Sequence, residues 1–300
     1  MLLLFRFLAR WPLRLLHALG GLAGWLTYAA SASYRQRFQA NVAVAGLPWA
    51  AARPAIAAAG RMIAETPWLW LRPAEERLGR RLRWEGAELI EAALAERRGL
   101  VLLTPHLGCF EICAQAVAER FCDAERPITV LFRPARKAWL RPIVDDSRGR
   151  PGLATAPATL AGVRQMIRAL RQGQTIGLLP DQVPPEGLGV WAPFFGRPAY
   201  TMTLAARLVQ QTGAALLLIW GERLPGGQGY AVHVMPAPAI ARELSPEEAA
   251  ATINAAMEQM IRLAPGQYLW GYNRYKRPRG LDIAAAPEPA AAATATGQER

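Results

Sequence analysis

The chain has 300 residues, 52% of them hydrophobic, and a formal net charge of +12. This length is sufficient for one large hydrophobic core, and three cysteines without paired spacing argue against a disulfide framework and fit a reducing compartment. Nearly all of the positive charge is arginine, since Lys137 and Lys276 are the lysines of the sequence. The surplus favours a polyanionic partner, although a GC-rich genome would also enrich arginine.

Residues 1–30 predict an N-terminal membrane anchor. Arg6, Arg10 and Arg14 recur every four residues and would form one basic stripe on a helix, whereas leucine and phenylalanine fill much of the rest. The apolar stretch at 15–32 is marginal in length for a bilayer span. A cleaved signal peptide is the alternative, because Ala-Ser-Ala at 30–32 resembles a cleavage site. We expect the anchor to remain uncleaved.

The following segment, residues 33–72, has helical spacing that Pro48 and Pro67 are expected to interrupt. From about residue 86 onward, helix and strand patterns alternate. Helices are predicted at 86–99, 111–120, 160–173, 201–213 and 245–264, and strands at 100–104, 127–132, 175–179, 215–220 and 230–235.

This alternation predicts an α/β fold with a mixed, mainly parallel central sheet flanked by helices. The capping-box sequence SPEE at 245–248 marks the start of the last helix. We assign residues 31–280 to one domain. The low-complexity segment 281–300 is expected to be a disordered tail.

The sequence TPHLGCFE at 104–111 contains the strongest catalytic candidates. His106 follows a predicted buried strand, at the edge where open α/β sheets bind ligands, and Glu111 lies about one turn inside the next helix. A carboxylate on one imidazole nitrogen would fix the tautomer and leave the other nitrogen as a general base. The alternatives are a histidine that caps a turn and a metal site formed with Cys109 and Cys113, for which a complete ligand set is missing.

Two other sequence patterns bear on which reaction the protein could catalyse. GLGVWA at 187–192 matches a dinucleotide-binding pattern, but no strand precedes it, and no G-x-S-x-G motif of a serine hydrolase occurs. With no serine nucleophile indicated, the attacking group would be a hydroxyl of the substrate.

Several blocks, in order, resemble the lipid A late acyltransferase family, the lauroyl and myristoyl transferases of Gram-negative lipopolysaccharide synthesis. The resemblance covers about residues 1–278. The blocks are TPHLGCFE (104–111), VLFRP (130–134), SRGR (147–150), LPDQ (179–182), APFFGRPAYTMT (192–203) and APGQYLWGYNRYKRP (264–278). The segment QVPPEG after Asp181 departs from the family, whose members often carry a second acidic residue and a glycine there.

The resemblance implies a glycerolipid acyltransferase-like fold and a membrane-bound O-acyltransferase. His106 would deprotonate a lipid hydroxyl, which attacks an acyl thioester, and Glu111 would orient His106. Arg133 would hold the oxyanion or a phosphate, and Asp181 would position an arginine or the hydroxyl. The substrate-binding residues implied are Arg136, Arg148 and Arg150 for phosphates and Phe194 and Phe195 for the acyl chain.

The implied partners are acyl carrier protein as the acyl donor, a phosphorylated lipid A precursor and membrane lipids, without nucleic acid, cofactor or metal. The implied location is the cytoplasmic side of the inner membrane. Two alternatives stay open. One is an acyltransferase for another glycolipid or phospholipid that uses acyl-CoA, and the other is a non-catalytic peripheral membrane protein.

Overall fold

The computed structural model describes residues 2–73, 76–132 and 150–278. Three of the predicted site residues, Arg133, Arg136 and Arg148, lie outside the described residues, as does the predicted tail at 281–300.

Among the described residues, five α-helices precede the first strand, and the remaining strands and helices follow. The helices are α1 (Leu2–Leu8), α2 (Leu13–Ala30), α3 (Ala32–Val44), α4 (Trp49–Ala52), α5 (Ala55–Leu71), α6 (Ala87–Ala95), α7 (Phe110–Phe121), α8 (Leu160–Arg171), α9 (Leu204–Thr212) and α10 (Pro246–Leu263). The strands are β1 (Leu82–Glu85), β2 (Leu100–Leu103), β3 (Ile128–Phe132), β4 (Leu153–Pro157), β5 (Thr175–Leu178), β6 (Gly189–Phe194), β7 (Arg197–Met202), β8 (Ala215–Arg223) and β9 (Tyr230–Pro236).

Seven strands form the central sheet in the order β1-β9-β8-β2-β5-β3-β4, and β6 and β7 form a separate hairpin. Every neighbouring pair in the sheet is parallel except β8 and β9. The predicted α/β fold with a mainly parallel sheet flanked by helices is therefore confirmed. In the centre, Leu103 of β2 is in register with Leu178 of β5 and with Leu218 of β8.

The two faces of the sheet bury two apolar cores. On one face, β2 and β5 pack with α3, α8, α9 and α10. On the other face, β2, β8 and β9 pack with α2, the end of α5, α6 and α7. All four residues of β2 are buried, as expected for a strand covered on both faces.

Local details differ from the sequence-based expectations. Pro67 lies inside α5 without ending it, and the strands β1, β4, β6 and β7 were not predicted. The helix predicted at 201–213 begins at Leu204, because Thr201 and Met202 complete the β6–β7 hairpin. The capping box is confirmed, since the Ser245 side chain accepts from the Glu248 amide and the Glu248 carboxylate accepts from the Ser245 amide.

The N-terminal helices are part of the folded domain. Helix α2 packs along α5 at three glycines, and a Cβ atom at Gly60 would lie 1.9 Å from the carbonyl oxygen of Gly20. A Cβ atom at Gly24 would lie 2.3 Å from the carbonyl oxygen of Ile56. Within the described ranges, we find no helix with both the length and the apolar character needed to span a bilayer. Helix α2 of the expected anchor therefore packs against α5 of the domain. Attachment of this region to a membrane stays a prediction.

Candidate active site

The candidate site lies at the carboxyl-terminal edge of two adjacent central strands. His106 is the third residue after Leu103, the last residue of β2, and Asp181 is the third residue after Leu178, the last residue of β5. Because Leu103 and Leu178 are in register, the two chains leave the sheet side by side. This arrangement brings together two residues that are 75 positions apart in the sequence.

Asp181 holds the imidazole of His106 from one side. Its Oδ1 lies 2.7 Å from His106 Nδ1, and its Oδ2 accepts a hydrogen bond from the His106 amide at 2.9 Å. Burial alone would raise the pKa of Asp181, but the charge of His106 and the hydrogen bonds from its ring and amide, with a contribution from the charge of Arg274, hold it below its usual value. Asp181 is therefore an ionised carboxylate in a buried position, suited to fix the ring and to stabilise an imidazolium.

The other ring nitrogen of His106 meets a neutral amide. Gln182 Nε2 lies 3.0 Å from His106 Nε2. Since Asp181 accepts from Nδ1–H, Nε2 carries the lone pair, and the Gln182 amide donates to it. The Phe110 ring packs on the imidazole with 4.7 Å between ring centroids. The imidazole thus has a proton-accepting nitrogen whose hydrogen-bond partner, among the described residues, is a neutral side-chain amide.

The sequence predicts that Glu111 orients His106, whereas the structure shows Asp181 in contact with the imidazole. Helix α7 begins at Phe110, so the Phe110 ring faces the imidazole while Glu111 lies in the first turn of the helix. The Glu111 carboxylate accepts a hydrogen bond from the Trp70 indole Nε1 at 3.4 Å. The carboxylate that orients the imidazole is that of Asp181. A catalytic role of Glu111 stays a prediction.

Backbone contacts hold the loop between His106 and α7. Gly108 donates to the carbonyl oxygen of Gln267 at 3.0 Å, and Cys109 donates to that of Gly221 at 2.7 Å. Gly108 has a φ of 58°, and a Cβ atom there would lie 2.0 Å from the Gly221 oxygen. Only glycine fits both the left-handed backbone and this close approach. The loop is therefore fixed against β8, and its conformation positions His106.

A buried polar network supports the same loop from below. The Glu65 carboxylate accepts from His17 Nε2 at 2.8 Å, from Tyr230 Oη at 3.1 Å, and from two nitrogens of Arg223, Nε at 2.8 Å and Nη2. Arg223 Nη2 also donates to the carbonyl oxygen of Gly108 at 3.1 Å. The network thus connects α2 and α5 to the loop that holds His106.

Within this network, Glu65 and Arg223 stabilise each other's charged form. Burial would raise the pKa of Glu65, but the charge and hydrogen bonds of Arg223, followed by those of His17, lower it to about 2. The same ion pair more than offsets the effect of burial on Arg223, whose pKa is raised above its usual value. Both groups remain charged at neutral pH.

Three predicted substrate-binding residues have buried positions. The Arg150 guanidinium donates to the carbonyl oxygens of Leu69, Arg72 and Pro73, which end α5. Phe194 and Phe195 are 2% and 8% exposed and belong to the larger core. The structure thus gives these three residues packing or helix-end contacts. The phosphate role of Arg150 and the acyl-chain roles of Phe194 and Phe195 stay predictions.

The cysteines near His106 are buried thiols. Burial, first of all, raises the pKa of Cys109 well above its ordinary value and that of Cys113 to about 12. In the part of the chain that the structure describes, no group of three or more histidine, cysteine, aspartate or glutamate side chains could hold a metal ion. Cys109 and Cys113 therefore pack in the core, and the described residues give the metal alternative no support.

Sequence reasoning missed Gln182, His17, Glu65 and Arg223. A signal for two of them was present, because His17 and Glu65 are polar residues inside otherwise apolar helical segments, where an unpaired charge is costly.

Comparisons with known proteins agree with the geometry. The family described as "bacterial lipid A biosynthesis acyltransferase" matches residues 1–277. The chain is 28% identical over 200 residues to the lipid A biosynthesis lauroyltransferase of Escherichia coli K12, covering 65% of this chain and 62% of that protein. It is 26% identical over 198 residues to the palmitoleoyltransferase of the same strain, with 65% and 62% covered. A lipid A biosynthesis acyltransferase of Haemophilus influenzae is 23% identical over 196 residues, with 65% and 59% covered.

Proposed function

Since this chain belongs to the bacterial lipid A biosynthesis acyltransferase family, we propose that it transfers a fatty acyl chain from a thioester to a hydroxyl of a lipid A precursor. The chain spans 62% of the length of the two Escherichia coli relatives, so the reaction is argued from the site and from family membership together. The observation that carries the proposal is the imidazole of His106, which buried Asp181 holds at Nδ1 and which a neutral amide, that of Gln182, contacts at Nε2.

The proposed chemistry uses His106 as the general base. The acceptor hydroxyl replaces the Gln182 amide at Nε2 and loses its proton to that nitrogen as its oxygen attacks the thioester carbonyl. The resulting imidazolium is stabilised by the ionised Asp181 at Nδ1. Collapse of the tetrahedral intermediate breaks the carbon–sulfur bond, and the departing thiolate takes the proton from His106. The products are an ester and a free thiol.

The proposed acyl donor is acyl carrier protein. An acidic carrier would find complementary charge on a chain with a formal net charge of +12. Acyl-CoA is the alternative donor, in which case the acceptor could be another glycolipid or a phospholipid. Supplying each thioester in turn with one acceptor separates these two possibilities.

The proposed location is the cytoplasmic face of the inner membrane, with the protein lying on the bilayer. The first two helices and α5 carry exposed apolar side chains, namely Leu3, Leu4, Phe7, Leu15, Leu19, Leu22, Leu26 and Ile63. Several exposed apolar side chains on neighbouring helices are typical of a membrane or protein contact. Replacing Leu22 and Leu26 with glutamine should reduce the fraction of protein that floats with anionic vesicles.

A direct test uses purified protein, acyl carrier thioester and a phosphorylated glucosamine lipid. We expect free carrier thiol and an acylated lipid to appear at equal rates. The variant Asp181→Ala serves as the matched comparison, because it removes the group that orients the imidazole. Absence of both products with the unaltered protein would contradict the proposal and favour a non-catalytic peripheral membrane protein.

A further inference from the structure

A groove lies between α1 and the carboxyl-terminal end of α5, on the face of the sheet that carries α7. Its cavity volume is about 840 Å³. Trp11, Trp68 and Glu76 contribute to its wall. Four arginines line the same groove: Arg6, Arg10, Arg72 and Arg81. The side chains around the groove therefore carry a clear excess of positive charge.

Arg72 is a buried cation at the inner wall of this groove. It is 6% exposed, and its Nη2 donates to Gln115 Oε1 at 3.1 Å. Its Nε and Nη1 atoms have no hydrogen-bond partner among the residues that the structure describes. Burial, and then the neighbouring charge of Arg150, lowers the pKa of Arg72 to about 10. Such a cation is short of negative charge, which a bound anion would supply.

The outer wall of the groove is also positively charged. Arg81 lies over the Trp68 ring at 5.5 Å from its centroid, and Arg72 lies over the same ring at 5.2 Å. Arg81 pairs with the half-exposed Glu76 at 3.2 Å. Arg6 and Arg10 are exposed and form no ion pair within the described ranges. Among the described residues, Arg6 and Arg10 are thus exposed cations without an ion pair, and Arg72 is a buried cation with two nitrogens that lack a hydrogen-bond partner.

Helix α7 adjoins both the groove, through Gln115, and the His106 ring, through Phe110. Trp70, two residues before Arg72, donates to Glu111, and Gln115, which contacts Arg72, lies one turn further along α7. Four residues of an α-helix span about 6 Å. The exposed apolar residues Leu3 and Phe7 lie on α1 beside Arg6. A ligand here would therefore have an anionic head and an apolar tail.

We propose that this groove binds the phosphate of the amphiphilic acceptor, a phosphomonoester on a sugar headgroup whose acyl chains lie along the exposed side of α1. Planar guanidinium groups bind phosphate through paired hydrogen bonds, which an isolated lysine cannot reproduce. The inference rests on the proposed function, because it names where the headgroup of that acceptor is held while its hydroxyl reaches His106.

Calorimetric titration of the full chain tests the groove. The probes are a phosphorylated glucosamine lipid and its dephosphorylated counterpart, each in detergent micelles. We expect the phosphorylated lipid to bind at least about tenfold more tightly, because hydrogen bonds between charged groups contribute that much. The double variant Arg6→Gln and Arg10→Gln should lose most of this difference, as should Arg72→Met.

The matched control is the double variant Arg164→Gln and Arg168→Gln, which removes the same charge from exposed positions of α8 on the opposite face of the sheet. It should keep the full preference for the phosphorylated lipid. Because Arg6 and Arg10 are exposed, their replacement tests the groove even if Arg72→Met fails to fold. Equal affinity for the two lipids, or an unchanged preference in the Arg6 and Arg10 variant, would overturn the inference.

A third probe identifies the source of the phosphate. Phosphatidylglycerol carries a phosphodiester, and equal binding of that lipid would overturn the assignment to the acceptor. Thiol release measured in the same samples separates the two proposals. If the unaltered protein releases thiol but binds the two lipids equally, the groove proposal alone is refuted. If it prefers the phosphorylated lipid but releases no thiol, the acyl-transfer proposal alone is refuted.

Discussion

Two histidine–carboxylate pairs in this molecule have almost the same geometry and different surroundings. His106 and Asp181 are 2.7 Å apart at the edge of the sheet, and His17 and Glu65 are 2.8 Å apart between α2, α5 and β8. The His106 side chain is 13% exposed, whereas that of His17 is 7% exposed. Arg223 also binds Glu65, while the imidazole of His106 faces a neutral amide.

Because of this difference, we assign a catalytic role to His106 with Asp181 and a structural role to His17 with Glu65. The charge of Glu65 is already balanced by Arg223, which binds the carboxylate through Nε and Nη2. Asp181 has no arginine within hydrogen-bonding distance among the described residues, and its charge is directed at His106. The short contact alone does not identify a catalytic histidine. The two histidines are distinguished by whether an arginine also binds the carboxylate and by which group contacts the other ring nitrogen.

The largest effect should follow from His106→Ala. We expect kcat/KM for acyl transfer to fall by about 10²–10⁴-fold, because the general base is lost. Thermal unfolding is measured alongside, because the buried Asp181 carboxylate loses its ring partner and keeps the hydrogen bond from the amide of residue 106. His233→Ala is the matched control, because His233 pairs with Glu85 and Glu222 away from Asp181. Near-normal turnover by a folded His106→Ala protein would exclude the mechanism.

Disruption of the second pair, His17 and Glu65, should lower the stability of the folded protein. Glu65→Gln leaves the buried Arg223 without its counter-charge, and we expect the free energy of unfolding to fall by about 3–5 kcal/mol. Urea denaturation followed by circular dichroism measures this change. Asp181→Asn should cost much less stability in the same assay. Equal losses in the two variants would show that the pairs do not differ as described.

The third comparison asks which carboxylate orients His106. Asp181→Asn should lower kcat/KM by at least about tenfold, because it replaces a charged hydrogen bond with a neutral one. Glu111→Gln keeps the imidazole contacts, so its KM and kcat should move less. Steady-state kinetics of the two variants on one acceptor decides the matter. A larger loss in Glu111→Gln would restore the orienting role predicted from the sequence.

Acid should destabilise the buried pair in a defined range. The pKa of Glu65 is lowered to about 2 in the folded protein, from its ordinary value of 4.5. The unfolded state therefore binds a proton first, and the stabilisation present above pH 4.5 is lost as pH falls toward about 2. Unfolding free energies measured across this range should fall steeply in the unaltered protein. The slope should be shallower in Glu65→Gln, and equal slopes would refute the assignment.

The smallest effect is expected at Cys113. Its buried thiol, whose pKa is raised to about 12, belongs to the core and should be unreactive in the folded state. Cys113→Ala should retain kcat/KM, and a chelator should leave the rate unchanged. Loss of activity on chelation would revive the metal alternative considered for His106, Cys109 and Cys113.

The sequence predicted the sheet and one half of the site. His106 was recognised because a histidine ends an apolar strand pattern, and Asp181 was recognised at the end of another strand. Their contact was not predicted, since the adjacency of β2 and β5 depends on strand order, which is set by long-range packing and not by local pattern. The nearer Glu111 was therefore given the orienting role that Asp181 has in the structure.

The N-terminal layer was the least predictable region. An apolar stretch with three arginines has the composition of an anchor, and residues 13–30 do form one helix. The composition does not reveal that Gly20 and Gly24 meet Gly60, or that His17 reaches Glu65. These contacts join positions about 40 residues apart, and each requires the helix crossing to be known.

The glycine contacts between α2 and α5 have a consequence for genetics. Any side chain at Gly60 or Gly24 would collide with a backbone oxygen that cannot move away without separating the helices. A random-mutagenesis screen for loss of acylated lipid should therefore return these glycines alongside His106. Immunoblotting would divide the hits into two classes: full-length protein at normal abundance for the sheet edge, and depleted protein for the helix crossing.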